Sequence, residues 1–143
     1  MAITVTSMSQ LKAELSKRMN KAMSETKSLS EQTTRTELQS FYSQGDPSIY
    51  KRTGKLGNSM RSATTAQGLE IASFTIYLDT HYGYDMPNEA FLERGYSSYF
   101  TTPMVLSAAE AGTAHIKGKP GFWARSRDHI QKNLTSTFSK YFN

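Results

Sequence analysis

The sequence predicts an α+β fold, with a long N-terminal helix, an antiparallel sheet of about three to four strands and a C-terminal helix packed on that sheet. Three patterns carry this expectation. Apolar residues recur at helical steps from Met8 onward, and no proline or glycine interrupts them before Gly45. The run Leu69–Asp79 alternates with the period of a strand that buries one face. After Pro120-Gly121, apolar residues return at helical spacing to the end of the chain.

At 143 residues the chain is read as one domain, long enough to bury a core. Its parts are a long helix over 1–44, a glycine-containing hinge loop over 45–60, a sheet with a Tyr-rich insertion over 61–118, and a closing helix over 119–143. No internal repeat is visible.

The first helix starts at Thr6 or Ser7, either of which suits an N-cap. Met8, Leu11, Leu15, Met19, Ala22 and Met23 form one face of it, with Lys12, Glu14, Lys17, Arg18 and Lys21 at the other angles. The stripe then thins into a Ser/Thr-rich half that runs to about Tyr42, and Gly45-Asp-Pro47 ends it. Such a helix would be about 50 Å long, more than a compact domain of this size spans, so part of it should project or bend.

Arg61–Ala66 and Leu69–Asp79 flank Gln67-Gly68 and read as a hairpin. Ala72, Phe74, Ile76 and Leu78 share one face, and Thr75, Tyr77 and Asp79 the other. From His81 to Phe100 the chain is rich in tyrosine, with a short helix expected over Pro87–Arg94. Thr101–Leu106 is expected to be extended. In the closing helix, Trp123, Ser126 or Arg127, Ile130, Leu134, Phe138 and Tyr141 make one stripe, and Trp123, Ile130, Leu134 and Phe138 are the expected core contacts.

The formal charge of +5 is unevenly laid out. Residues 1–68 hold ten bases and five acids, residues 69–116 one base and six acids, and residues 117–143 six bases and one acid. A basic–acidic–basic order provides complementary faces within the fold or between copies. Without cysteine there is no disulfide, thiolate metal site or thiol nucleophile. The opening residues lack the pattern of a signal peptide, and no stretch has the apolar length of a membrane span, so a soluble protein made in the cytoplasm is expected.

Catalytic and metal-binding signatures are missing from the sequence. His81, His115 and His129 have no ligand-like spacing, the acids Asp79, Asp85, Glu89 and Glu93 form no distinguishable acid–base pair, and no Gly-x-Ser-x-Gly elbow occurs. The expectation is a non-enzyme without cofactor or metal. The most distinctive string is Tyr50-Lys-Arg-Thr-Gly-Lys-Leu-Gly-Asn-Ser59, followed by Arg61. Its Thr-Gly-Lys invites comparison with a phosphate loop. Ile49 stands where the first glycine of that motif belongs, and Leu56 where its Ser/Thr belongs, so a nucleotide site is not expected. Lys51, Arg52, Lys55 and Arg61 remain as a basic loop able to face an acidic partner or a phosphate backbone.

The order of elements, with Thr53-Gly54-Lys55-Leu56-Gly57-Asn58-Ser59 after the first helix, resembles the tail-component family of long-tailed bacteriophages. Thr53, Gly54, Leu56 and Ser59 match that family's Thr-Gly-x-Leu-x-x-Ser, and either Glu93-Arg-Gly95 or Glu110-Ala-Gly112 fits its Glu-x-Gly step. The Tyr-rich stretch is a departure from the pattern. The resemblance implies a tail-completion or head–tail joining subunit of the virion neck. It implies a homo-oligomeric ring, commonly sixfold, among other neck and tail proteins around the DNA channel. Lys51, Arg52, Thr53, Gly54, Lys55, Leu56, Ser59 and Arg61 are then expected at a subunit interface or in the lumen, with non-specific contact to the passing genome. The alternative expectation is a small basic DNA-binding protein of a phage or mobile element.

Overall fold

A computed structural model of the chain describes residues 4–45, 54–81, 102–113 and 116–143. Helix α1 (Met8–Ser40) is 33 residues long and continues as a 3₁₀ turn over Phe41–Ser43. Ser7 is its N-cap: the Oγ accepts from the Gln10 amide at 3.2 Å. Strands β1 (Met60–Gln67) and β2 (Ala72–Leu78) form an antiparallel pair. Helix α2 spans Thr102–Ala111 and helix α3 spans Phe122–Phe142.

The architecture is α+β, with two strands among the described residues. The short helix expected over Pro87–Arg94 lies outside them. Thr102–Leu106, expected to be extended, is the first half of α2. Pro103 sits in the opening turn, where its missing amide costs nothing, and Ala108, Ala109 and Ala111 favour the helix that follows.

Helix α1 is the axis of the molecule. The hairpin runs along one side of it: the Ser16 Oγ and the Asn20 side-chain amide donate to the Gly68 carbonyl at 2.9 and 3.1 Å, and the Lys27 Nζ to the Thr64 Oγ1 at 3.0 Å. The Ser62 hydroxyl donates to the Glu31 carboxylate. Met60, Ser62 and Thr64 pair with Leu78, Ile76 and Phe74, so these six share the face turned to α1. Thr75 and Tyr77 are exposed, in accord with the alternation in the sequence. Leu69 and Ile71 fall in the turn rather than in β2 and are exposed at its tip.

Helix α3 packs antiparallel along α1, not on the sheet. Its start meets the end of α1, with the Phe122 and Phe41 rings edge to face at 5.9 Å. Its end meets the middle of α1, where the Lys140 Nζ and the Tyr141 hydroxyl both donate to the Glu25 carboxylate at 2.8 Å. The physical reason lies in the inward residues. Along α1 every fourth position from Ala22 to Leu38 is buried: Ala22, Thr26, Ser30, Thr34 and Leu38. On α3 the buried positions are Phe122, Ser126 and Thr137. Small side chains let two helix backbones approach closely, and three of the buried hydroxyls are satisfied within their own helices. The Thr26 Oγ1 donates to the Ala22 carbonyl, the Ser126 Oγ to that of Phe122, and the Thr137 Oγ1 to that of Asn133, each at 2.7 Å. Trp123, Ile130, Leu134 and Phe138, expected as the core of α3, are half-buried on its flank.

The apolar core gathers at the C-terminal end of α1. Leu38, Phe41, Leu56, Met60, Val105, Ala108, Ala109, Ile116 and Phe122 meet there, with Tyr42, Ile76, Leu78, Leu106 and Trp123 around them. Each comes from a segment that begins or ends at this point. An Ala22→Leu variant places extra methylenes against a fully buried site on α1. It is expected to lower unfolding free energy by about 1–3 kcal/mol, read by urea denaturation.

Candidate functional site

The distinctive string of the sequence lies at the junction of α1 and β1. Lys51, Arg52 and Thr53 lie outside the described residues. Gly54 has a left-handed backbone, φ 76°, with open space where a Cβ would stand. Lys55 leads into a 3₁₀ turn over Leu56–Asn58. Leu56 is buried in the core at 5% exposure, and Ser59 is fully buried. The Ser59 hydroxyl donates to the Leu56 carbonyl at 2.7 Å, and the Asp79 amide to the Ser59 carbonyl at 2.8 Å. The Gly57 amide donates to the Tyr42 hydroxyl at 3.0 Å, and a Cβ at Gly57 would overlap the Gln39 side chain. Arg61 is half-buried at the start of β1, its guanidinium donating to the carbonyls of Asn58 and Met60 at 2.8 and 3.0 Å and pairing with Asp79 at 3.5 Å.

The described half of the string is therefore a clasp. It fastens the first residue pair of the hairpin to the last turn of α1. Gly54, Leu56 and Ser59, the motif positions that are described, serve the fold: a left-handed turn, a core anchor and a turn closure. Only Gly54 of the three is not buried.

Two charged latches hold α3; the sequence reading passed over Glu37 and named Glu110 only as one of two Glu-x-Gly candidates. Glu37, 14% exposed at its side chain, accepts from the Arg125 Nε at 2.6 Å and lies 3.2 Å from the His129 Nε2. Burial raises the Glu37 pKa, but the hydrogen bonds and charges of Arg125 and His129 outweigh it and hold the carboxyl below its ordinary range. Glu110, at the end of α2, places its carboxylate on the N-terminus of α3. The amides of Trp123 and Ala124 donate to its two oxygens at 2.8 and 3.0 Å, and the Gly121 amide to its backbone carbonyl at 2.8 Å. These are the orphan amides of a helix start, met by a negative charge at the positive end of the dipole. Of the two Glu-x-Gly candidates, Glu110-Ala-Gly112 is the one this capping places against the last helix; Glu93 lies outside the described residues.

Among the described residues, no three His, Asp or Glu side chains gather as a metal site, and no helix is long and apolar enough to cross a membrane. His81 is exposed beside Asp79, and His115 lies outside the described residues.

The other end of α1 is different in kind. The Tyr141 carbonyl, in the last turn of α3, accepts from the Arg18 guanidinium at 3.5 Å. Met8–Lys17 extends beyond it. On this overhang Met8, Leu11 and Leu15 are 68, 37 and 45% exposed. The apolar stripe read from the sequence is thus exposed in its first turns.

Residues 7–143 match the model of the YomN family. The chain belongs to the YomN family. That family takes its name from an SPbeta-type prophage, which makes the chain phage-associated. No curated protein and no solved structure matches the sequence.

Two outcomes test the roles of these residues in the YomN-family fold. Leu56→Ala should cost about 2–4 kcal/mol of stability in urea denaturation, as expected for an emptied core position. Glu37→Gln should cost about 1–2 kcal/mol at neutral pH. Because folding lowers the Glu37 pKa, its contribution is complete above the unfolded value of 4.5 and is lost as pH falls through the folded value. Stability curves of the two proteins should therefore converge on acidification below pH 4.5.

Proposed function

We propose that this YomN-family chain is a non-enzymatic structural protein of a phage virion, a tail-completion or head–tail joining subunit of the neck. It assembles as a homo-oligomeric ring around the DNA channel, among other neck and tail proteins. The observation that carries this reading is the overhang of α1. A helix of 33 residues lies against a helix of 21, and its free turns carry Met8, Leu11 and Leu15 toward solvent. Apolar residues presented in this way gain free energy only when another surface covers them. The phage-associated family and the order of elements shared with tail-component proteins supply the setting.

The hinge enters this reading in altered form. Leu56 and Ser59 are core residues of the subunit, so contact with a neighbour or with DNA in the lumen falls to Lys51, Arg52, Thr53, Gly54, Lys55 and Arg61.

Removal of the gene from the encoding phage should leave full heads and complete tails that fail to join, seen by negative-stain imaging. The protein should also be found in purified virions by mass spectrometry. Normal virions without the protein overturn the reading. Salt-dependent duplex binding by the isolated protein, lost in Lys51→Glu and Arg52→Glu variants and accompanied by absence from virions, supports the small DNA-binding alternative instead.

A further inference from the structure

We infer that the solvent-facing side of α1 binds the phosphate backbone of a nucleic acid duplex, without reading its sequence, through Lys17, Lys21 and Arg35. This surface is additional to the loop positions named above. It is read from α1 and its neighbours and does not depend on the joining role.

Helix α1 sorts its charges by direction. Each of its four acids is engaged: Glu25 and Glu37 hold α3 through Lys140 and Arg125 at 2.8 and 2.6 Å, Glu14 pairs with Arg18 at 3.1 Å, and Glu31 accepts from the Ser62 hydroxyl and lies 3.9 Å from Lys27. Lys17, Lys21 and Arg35 are exposed and form no ion pair among the described residues. With 3.6 residues per turn, Lys17, Lys21, Ser24, Ser28, Arg35 and Gln39 fall within about 60° of one another around the helix, and all six are exposed. To one side of this stripe lies α3, held at Arg18 and Glu25, and to the other the hairpin, held at Ser16, Asn20 and Lys27. The stripe is therefore turned away from both, whatever their lengths.

The occupant follows from the chemistry of the stripe and its length. The serine and glutamine side chains between the cations donate hydrogen bonds to phosphate oxygens, as lysine and arginine do. None of the six residues is apolar, so the dry core of a protein interface has nothing to form on. None is aromatic, so single-stranded bases have nothing to stack on. From Lys17 to Gln39 the stripe runs about 33 Å, close to the roughly 34 Å of one duplex turn. At its far end it meets the distinctive string: a Cβ at Gly57 would overlap the Gln39 side chain, and Lys55 opens the turn that holds Gly57. A backbone laid along α1 is thus led toward the basic loop. Three neutralised phosphates make affinity fall with salt at a log–log slope of about −2.7.

The test uses the full chain and two fluorescently labelled DNA duplexes of unrelated sequence, titrated by anisotropy between about 50 and 200 mM salt. Both should bind alike, with a log–log slope of about −2.7 or steeper. A Lys17→Gln/Lys21→Gln/Arg35→Gln variant should weaken binding by about tenfold or more at the lower salt and make the slope shallower by about 1 for each cation removed. Lys12→Gln removes an exposed cation from the other side of α1 and should change neither. Circular dichroism should show the same melting for each variant, because all four side chains are exposed. No binding at the lower salt, binding unaffected by the triple variant, an equal effect of Lys12→Gln, or strong preference for one duplex overturns the inference. So does binding lost in Lys51→Glu and Arg52→Glu variants but kept in the triple variant, which assigns the contact to the loop alone. A labelled polyglutamate peptide that binds more tightly than the duplexes and is lost in the triple variant assigns the stripe to an acidic protein and also overturns it. A failed titration leaves the virion experiment untouched, and absence from virions leaves the titration as it stands.

Discussion

The close antiparallel seating of α3 along α1 is the constraint on which the rest of the structure depends. It holds because both helices turn small residues inward. Ala22, Thr26 and Ser30 on one and Ser126 and Thr137 on the other leave room for the backbones to approach. The hydroxyls of Thr26, Ser126 and Thr137 bond to carbonyls one turn back and the Ser30 Oγ accepts from the Asn133 side-chain amide, so burying them leaves few polar atoms unmet; Thr34 Oγ1 is an exception. Such a seam buries modest apolar area. Direction and register are set instead by the charged pairs at its ends, Glu37 with Arg125 and His129, and Glu25 with Lys140 and Tyr141. The Glu25 carboxyl is likewise held below its ordinary range by the hydrogen bonds of Lys140 and Tyr141.

With the seam lean in apolar surface, stability concentrates at the far end of α1. Phe41 stacks edge to face on both Tyr42 and Phe122, and Leu38, Leu56, Met60 and Val105 complete the cluster. Apart from the hairpin turn, which Ser16 and Asn20 hold at Gly68, the described junctions lie at this knot. The 3₁₀ turn at Leu56–Asn58 delivers β1 to it, the Lys119 amide donates to the Phe41 carbonyl at 2.9 Å, and the Glu110 carboxylate fixes where α3 starts. A helix thus closes the fold at the position chosen by the preceding helix, through one side chain.

The features legible in the sequence are those written as local period. The extent of α1, its cap at Ser7, the alternation of β2 and the start of α3 at Gly121 all follow from spacing that neighbours a few residues apart can enforce. Contacts between distant segments were less visible. Trp123, Ile130, Leu134 and Phe138 look like the buried stripe of α3 because they are large and apolar. The partner face is lined with serine, threonine and alanine, so the helix seats through Phe122, Ser126 and Thr137, one position away at two points. Helix α2 was hidden by Thr102-Pro103 and Val105, which suit an extended segment, although Pro103 followed by alanines and Gly112 is also the pattern of a short helix. The Thr53–Ser59 string drew notice through charge and glycine, while its buried members, Leu56 and Ser59, are the ones that tie the hairpin to α1.

Along α1 the usual relation between side chain and surroundings is reversed. Where its own chain covers it, the helix offers Thr26, Ser30 and Thr34; where nothing of its own chain among the described residues covers it, it offers Met8, Leu11 and Leu15. A helix selected only to hold this fold together would carry its leucines under α3, where burial stabilises by about 25 cal/mol per Å² of apolar surface. Exposed leucines at the free end contribute little of that to the folded subunit and raise the risk of unwanted association.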